Sequence, residues 1–409
     1  MSDSPAPWLE QRIERNLALL KASYEGDLEE CKKLLAPTIS EGDWDGSADA
    51  WYADEDMLRW DALHYAADGG HTEVVRLLLQ SGAPWNAVDA LGYTAADVAW
   101  SRNHTACYGL LFEEGVRQSF LVQKLAQHAD IDAENEKPTE KNSGEEADAA
   151  QDHALRSDTD DAAHLTLVSG SQNEVTYSNT DFLHSRLTFT QDARGQWRCL
   201  DKDNNMVMAE WENEIMLASA KALCEGQKEG FSVLNVGFGL GIVDEAVQMY
   251  RPGRHVIIEP HPDVLTFMRQ RGWDQRPGVE IFEGTWEQFL MPENDEDGEN
   301  AMKLGDFDAI YFDTYSQDYA DLRAFFECLP NVLSGPDARF SFFHGLAATH
   351  QFYYQVYTRL AELDLRDIGL TTTWTALLMH VDDITWDGVK RKYWSLDEYY
   401  LPVARMQLV

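Results

Sequence analysis

Two acids far apart in the chain are of a type that could do chemistry together. Glu212 lies in Met208-Ala-Glu210-Trp211-Glu212-Asn-Glu214-Ile-Met216, which reads as the start of a helix, and Asp313 in Tyr311-Phe312-Asp313-Thr314-Tyr315. Two carboxylates flanking one pocket suit a guanidinium, whose planar fork of N–H donors meets carboxylate oxygens two at a time. A guanidinium stays charged because its pKa lies above about 12, so its nitrogens are poor nucleophiles. Carboxylates can localise that charge on two nitrogens and take the proton that leaves the third as it is alkylated. The alternative is two unrelated surface acids.

A second cluster is Val233-Leu-Asn235-Val-Gly237-Phe238-Gly239-Leu240-Gly241-Ile242. A β-rich run enters a glycine turn that opens a helix, and glycines let backbone approach a ligand closely. Ile242 stands where a dinucleotide fingerprint needs a small residue, and the loop lacks the Gly-Lys-Ser/Thr ending of a nucleotide-phosphate loop. The G-x-G-x-G spacing is the pattern of Rossmann-like methyltransferases that use S-adenosylmethionine. Glu259, in Ile258-Glu259-Pro260-His261, ends the next strand run, where a carboxylate can accept both hydroxyls of a ribose. Thr285-Trp286 follow the third run, and the indole lies either against adenine or in the core. Asn235 stands two residues before Gly237, where many such enzymes carry an acid, which weakens that contact.

Alternating strand and helix patterns must position these residues. Strand runs over 232–236, 255–259, 279–283, 307–312 and 339–344 alternate with helical spacing over 242–250, 262–271, 321–333 and 349–363. Runs at 370–379 and 399–406 can finish the sheet. The pattern predicts a doubly wound α/β domain of mostly parallel strands, a class I methyltransferase fold, over 165–409, with a hairpin/helix extension at its start. Ligands of such sheets bind beyond the carboxyl ends of the strands. His344 closes the fifth run and either nears the substrate or is a packed structural histidine. The stretch 397–402 either lines a channel or completes the sheet.

Residues 1–126 carry an internal repeat. Ala62-Leu-His-Tyr-Ala-Ala-Asp-Gly-Gly-His71 and Ala95-Ala-Asp-Val-Ala-Trp-Ser-Arg-Asn-His104 recur at a 33-residue period, each followed by a longer helical run. That period with paired helices reads as all-α ankyrin repeats, with a degenerate earlier copy at 22–35 after an insertion near 43–53. The module implies a binding surface and no chemistry. Residues 127–164 are acidic and poor in large apolar side chains, which reads as a flexible linker. Residues 292–300 read as a surface loop.

The 409 residues carry 71 Asp and Glu against 33 Lys and Arg, a net charge of −38. The three segments 1–126, 127–164 and 165–409 contribute −11, −9 and −18, so both folded parts are acidic in their own right. Such a field argues against nucleic acid and anionic membrane, and favours a basic partner. No apolar run is long enough for a membrane span, and the start lacks a basic-then-apolar leader. Five scattered cysteines without a CxxC pair read as a reduced chain without structural zinc.

Taken together, the 208–216 segment, the glycine loop, Ile258-Glu259, Gly284-Thr285-Trp286-Glu287 and 311–315 resemble guanidinoacetate N-methyltransferase from about Val207 onward. With ankyrin repeats in front, the whole chain resembles the fungal-type protein arginine N5-methyltransferases. The resemblance implies that Met208, Met216, Gly237, Phe238, Gly239, Leu240, Gly241, Ile242, Glu259, Pro260, His261, Thr285, Trp286 and Asp313 hold S-adenosylmethionine. By position, Tyr177 closes over it from the hairpin-like 175–186 segment. It implies that Glu212 and Asp313 hold the guanidino group, with Asp313 the better candidate for the base, and with no metal. The substrate it implies is a basic protein, a ribosomal one, modified at the δ-nitrogen, in cytoplasm and nucleus, by an enzyme expected to be a monomer. The Thr-His-Trp loop of terminal-nitrogen arginine methyltransferases is absent; Thr372-Thr373-Trp374 lacks the histidine. A small-guanidine methyltransferase and a non-catalytic ankyrin adaptor remain the alternatives.

Overall fold

The computed structural model describes residues 7–38, 44–55, 57–135, 179–290, 307–315 and 318–407. The chain divides into two compact units, Met1–Glu174 and Val175–Val409.

The first unit is helical: α1 (Pro7–Glu25), α2 (Leu28–Leu35), α3 (Ala62–Asp68), α4 (Thr72–Gln80), α5 (Ala95–Ser101) and α6 (Thr105–Asn135). Helices α3 and α4 recur as α5 and α6 with the period read from the sequence. The short helices begin where a side chain satisfies a free N–H: Asp61 accepts from His64 N, and Thr94 and Asp97 cap one another. Between paired helices the chain turns through left-handed residues, Gly26, Gly70 and Asn103. Each turn is then tied to the preceding unit by an imidazole, His71 Nε2 to Tyr24 O at 3.0 Å and His104 Nε2 to Asp68 O at 3.1 Å. The degenerate copy is larger than the sequence suggests, because its first helix is the whole of α1. Arg12 and Asn16 of α1 bind the Asp49 carboxylate at 2.7–2.9 Å and so fix the inserted segment. Helix α6 runs past 126 to Asn135, where alanines and acids favour continued helix over an early linker. Residues 136–164 lie outside the described residues, as does the insert 292–300.

The second unit opens with α7 (Asn179–Leu183) and an antiparallel meander, β1 (Thr188–Gln191), β2 (Trp197–Leu200) and β3 (Met206–Ala209). The described part of the hairpin-like segment is therefore helix α7. The antiparallel strands come just after it, at four residues each too short to give a clear alternation. Then follow α8 (Asn213–Cys224), β4 (Ser232–Val236), α9 (Ile242–Gln248), β5 (Arg254–Ile258), α10 (Pro262–Gln270), β6 (Val279–Phe282), α11 (Trp286–Leu290), β7 (Ala309–Phe312), α12 (Tyr319–Val332), β8 (Arg339–Phe342), α13 (Gln351–Asp367), β9 (Leu370–Leu378) and β10 (Glu398–Met406). The sheet order is β6-β5-β4-β7-β8-β10-β9, parallel from β6 to β8. The last two strands finish the sheet, as the final sequence runs suggested, and pair antiparallel. Every residue of β7 is buried, as expected where helices cover both faces. The order reverses between β4 and β7, so the crevice at their carboxyl ends is the natural ligand position. All five cysteines are free, and four are buried.

At the opposite end of these strands, Asp308 staples β7 to β4. It accepts from Lys228 Nζ (2.7 Å), Ser232 N (2.9 Å) and Ser334 Oγ (2.7 Å). Burial pushes its pKa up, but these donors outweigh burial and hold it below the usual aspartate value. The stabilisation is therefore present above the unfolded pKa and is lost as pH falls through the lowered folded value. Asp308→Asn is expected to cost about 1–3 kcal/mol at pH 7. Urea unfolding at pH 7 and at pH 3 checks this, with parent and variant converging in acid.

Candidate functional site

Strand β4 ends at Val236, and the chain must turn at once to start α9. Gly237, Gly239 and Gly241 all have positive φ, at 90°, 56° and 75°. A Cβ on Gly237 would lie 1.9 Å from the Asp313 carbonyl, one on Gly239 2.4 Å from Met208 Sδ, and one on Gly241 2.3 Å from the Phe238 ring. The three glycines are thus required by the protein's own packing. Asp313 N donates to Val236 O (2.9 Å) and Gly237 N to Ile258 O (2.9 Å), so the tips of β4, β5 and β7 are mutually fixed.

Glu259 follows β5 and is buried. Its oxygens accept from Phe238 N (3.0 Å) and His261 N (2.7 Å). Burial pushes its pKa up to about 7, opposed by the N–H groups of Phe238, His261 and Gly239. A carboxylate has about four lone-pair sites, so acceptor capacity remains for a ligand hydroxyl. His261 caps α10, accepting from Asp263 N, and burial lowers its pKa. Pro260 is half-buried between these two residues. Met208 Sδ accepts from Leu240 N (3.2 Å); Met216 is fully buried and accepts from the Tyr311 hydroxyl (3.3 Å). Ile242 begins α9. Half-buried Thr285 exchanges bonds with Gln288 at the start of α11. The Trp286 ring is buried against Phe312 and Phe325, the core alternative for that side chain. Tyr177 lies outside the described residues.

Glu212 ends a short turn between β3 and α8 and is only 3 % exposed. Met208 therefore lies within β3, and the helix expected there starts five residues later, at Asn213. Burial, then the charge of Asp313, holds the Glu212 pKa well above the usual glutamate value, against the bond it accepts from the Tyr393 hydroxyl. Burial, then the charge of Asp244, pushes Asp313 up to about 7. The field of both acids reaches Tyr311, Tyr393 and Tyr399. The structure thus brings the two sequence-predicted acids within one another's field, Glu212 buried and Asp313 half-buried.

Several contributors carry no sequence signal of their own. Asn235 takes the place where an acid was expected, and its amide donates to Gly237 O (2.9 Å) and Asp244 Oδ1 (2.8 Å). Asp244 is buried and also faces His255 at 3.2 Å. Phe182 of α7 packs on His261 and Tyr315, beside the tips of β5 and β7. Trp386, Tyr393 and Trp394 of the β9–β10 connection surround Trp211, next to Glu212. His344 is structural: burial lowers its pKa to about 3, and it bonds Thr358 Oγ1 at 2.7 Å. A cleft of about 340 Å³ beside Gly241 is lined by Trp197, Glu210 and Met249, with none of Glu212, Glu259 or Asp313.

The bare glycine loop beside a buried ribose-type acceptor fits a nucleoside-bearing methyl donor, and the acid pair fits a cation. Gly237→Ala is expected to destabilise by about 1–3 kcal/mol from its left-handed backbone alone, with the carbonyl clash added. Denaturant unfolding of the variant checks this.

Residues 63–110 match the family of ankyrin repeats in many copies, and residues 191–327 match the guanidinoacetate N-methyltransferase family. The chain is 36% identical over 400 residues to a protein named protein arginine N-methyltransferase 2 from Cryptococcus neoformans var. neoformans serotype D (strain B-3501A), covering 92% of each chain. It is similar to proteins of the same name from Aspergillus fumigatus, at 36% over 344 residues covering 81% of this chain and 77% of that one, and from Yarrowia lipolytica, at 33% over 386 residues covering 81% and 79%.

Proposed function

The chain belongs to the protein arginine N-methyltransferase 2 family, and from that premise we propose that it methylates the δ-nitrogen of arginine in a basic protein. The observation that carries this reading is the pairing of buried Glu212, before α8, with half-buried Asp313 at the tip of β7 beside the glycine loop. S-adenosylmethionine, the donor that the family implies, supplies an electrophilic methyl group when bound. Gly237–Ile242, Met208 and Glu259 are the residues that would hold it, Glu259 through the ribose hydroxyls.

The acids do the rest. Glu212 pairs with the terminal nitrogens of the guanidinium and keeps its charge there. The δ-nitrogen gains a methyl group and loses its proton, which Asp313 accepts before release to water, so the product remains a cation. The guanidinoacetate family match supports δ-nitrogen chemistry, because in both substrates the reacting atom is the alkyl-substituted nitrogen. The ankyrin unit supports a macromolecular substrate, since a small guanidine needs no binding module, and the net charge of −38 favours a basic one such as a ribosomal protein.

Glu212→Gln and Asp313→Asn are each expected to lower turnover by about 10²–10⁴-fold. Glu212→Gln should leave S-adenosylhomocysteine binding by calorimetry near the parent value. Assay with labelled donor and basic proteins, followed by fragmentation of the methylarginine, checks both the loss and the position. Label on the terminal nitrogens alone would contradict the reading.

A further inference from the structure

The hydroxyl of Tyr393 lies between an indole that can only donate and an acid that, once ionised, can only accept. Trp211 Nε1 has only a proton to give and donates to the Tyr393 oxygen at 3.0 Å. A phenol has one proton, so that of Tyr393 is aimed at Glu212 Oε1. When Glu212 is ionised the direction runs from indole to phenol to carboxylate. Burial, then the charge of Glu212, raises the Tyr393 pKa well above its usual value, so it remains a donor throughout the working range.

The segment carrying Tyr393 is fastened over this spot from several sides. Arg194 reaches Asp382 (3.1 Å) and Thr385 Oγ1 (2.8 Å), Arg198 reaches Asp387 O (2.7 Å), and Lys390 N donates to Asn204 O (2.9 Å). Leu200, Met206 and Ala209 of the meander pack with Trp211, Trp386, Val389 and Tyr393. The meander and the β9–β10 connection thus form one wall around Glu212.

We propose that Tyr393 is a positioning residue for the reaction: its hydroxyl holds one oxygen of Glu212, leaving Oε2 to meet the guanidinium. The inference rests on the reading of Glu212 as a guanidinium acid. It gives the wall a chemical role, because that single hydrogen bond favours the ionised acid in a place where burial opposes it. The groups acting on Glu212 are Tyr393 from the β9–β10 connection and Asp313 from the end of β7; Tyr311 on β7 and Tyr399 on β10 feel its field in return.

The test is the pH profile of kcat/KM for an arginine-containing basic protein, measured on the full chain. In Tyr393→Phe the acid limb is expected to move up by roughly one to two pH units, because a bond favouring the carboxylate is lost. KM for the protein substrate should rise about tenfold at pH 7, with S-adenosylhomocysteine affinity unchanged. Trp211→Phe, which frees the Tyr393 hydroxyl to rotate, should move the limb in the same direction by less, and it decides the matter if Tyr393→Phe fails to fold. In a Glu212→Gln background, Tyr393→Phe should bring no further loss. An acid limb that stays in place in folded Tyr393→Phe, or in Trp211→Phe should the first variant not fold, overturns the inference. If Glu212→Gln itself keeps parental turnover, the reading of Glu212 falls instead.

Discussion

Two acids in one another's field set the terms for the rest of this site. Glu212 is buried and Asp313 half-buried, and the charge of Asp313 adds to the burial that raises Glu212. Two carboxylates in that situation hold a proton at pH values where free ones would not, since burial and like charge both disfavour ionisation. Both raised pKa values make the acids' contribution to stability fall as pH rises from about 4 towards 7 and beyond. Such an arrangement is costly for the protein alone and becomes favourable when a cation enters. A planar cation with donors on two edges relieves it best.

The fold exists around that pair in a specific sense. Asp313 is held by the parallel pairing of β7 with β4, through Val236 O, and by the absence of a side chain on Gly237. Glu212 comes from a different element, the turn leading into α8, and is reached by Tyr393 of the β9–β10 connection. Glu259 follows β5 and accepts from Phe238 N of the glycine loop and from His261 N. Each acid is thus carried on a separate support, and the glycine loop is the part all three supports touch or flank. Asn235 braces that loop from below through Gly237 O.

Much of this was legible in the sequence. The glycine spacing, Glu259 and the strand tip at Asp313 were readable because a parallel strand, a tight turn and a helix leave a local pattern. The ankyrin units were readable because their period repeats caps and turns, as at Asp61 and Thr94. What escaped was non-local. Tyr393 meets Glu212 across 181 positions of sequence, and nothing in Lys392-Tyr393-Trp394 marks it. The meander strands have four residues each, too few for a periodic signal. Asn235 looked like a missing acid because its partner Asp244 sits on α9, nine residues away, and only the fold joins them. Met208 looked helical because the turn that separates it from α8 has no glycine or proline to announce it.

The most direct measurement is the proton balance when an arginine-containing peptide binds the full chain saturated with S-adenosylhomocysteine. Calorimetry near pH 7 in buffers of different ionisation enthalpy gives that number. The account predicts net proton release on binding, because the entering guanidinium displaces the proton held by the acid pair, and it predicts a smaller release in Glu212→Gln. Binding without release, or with uptake, would contradict it.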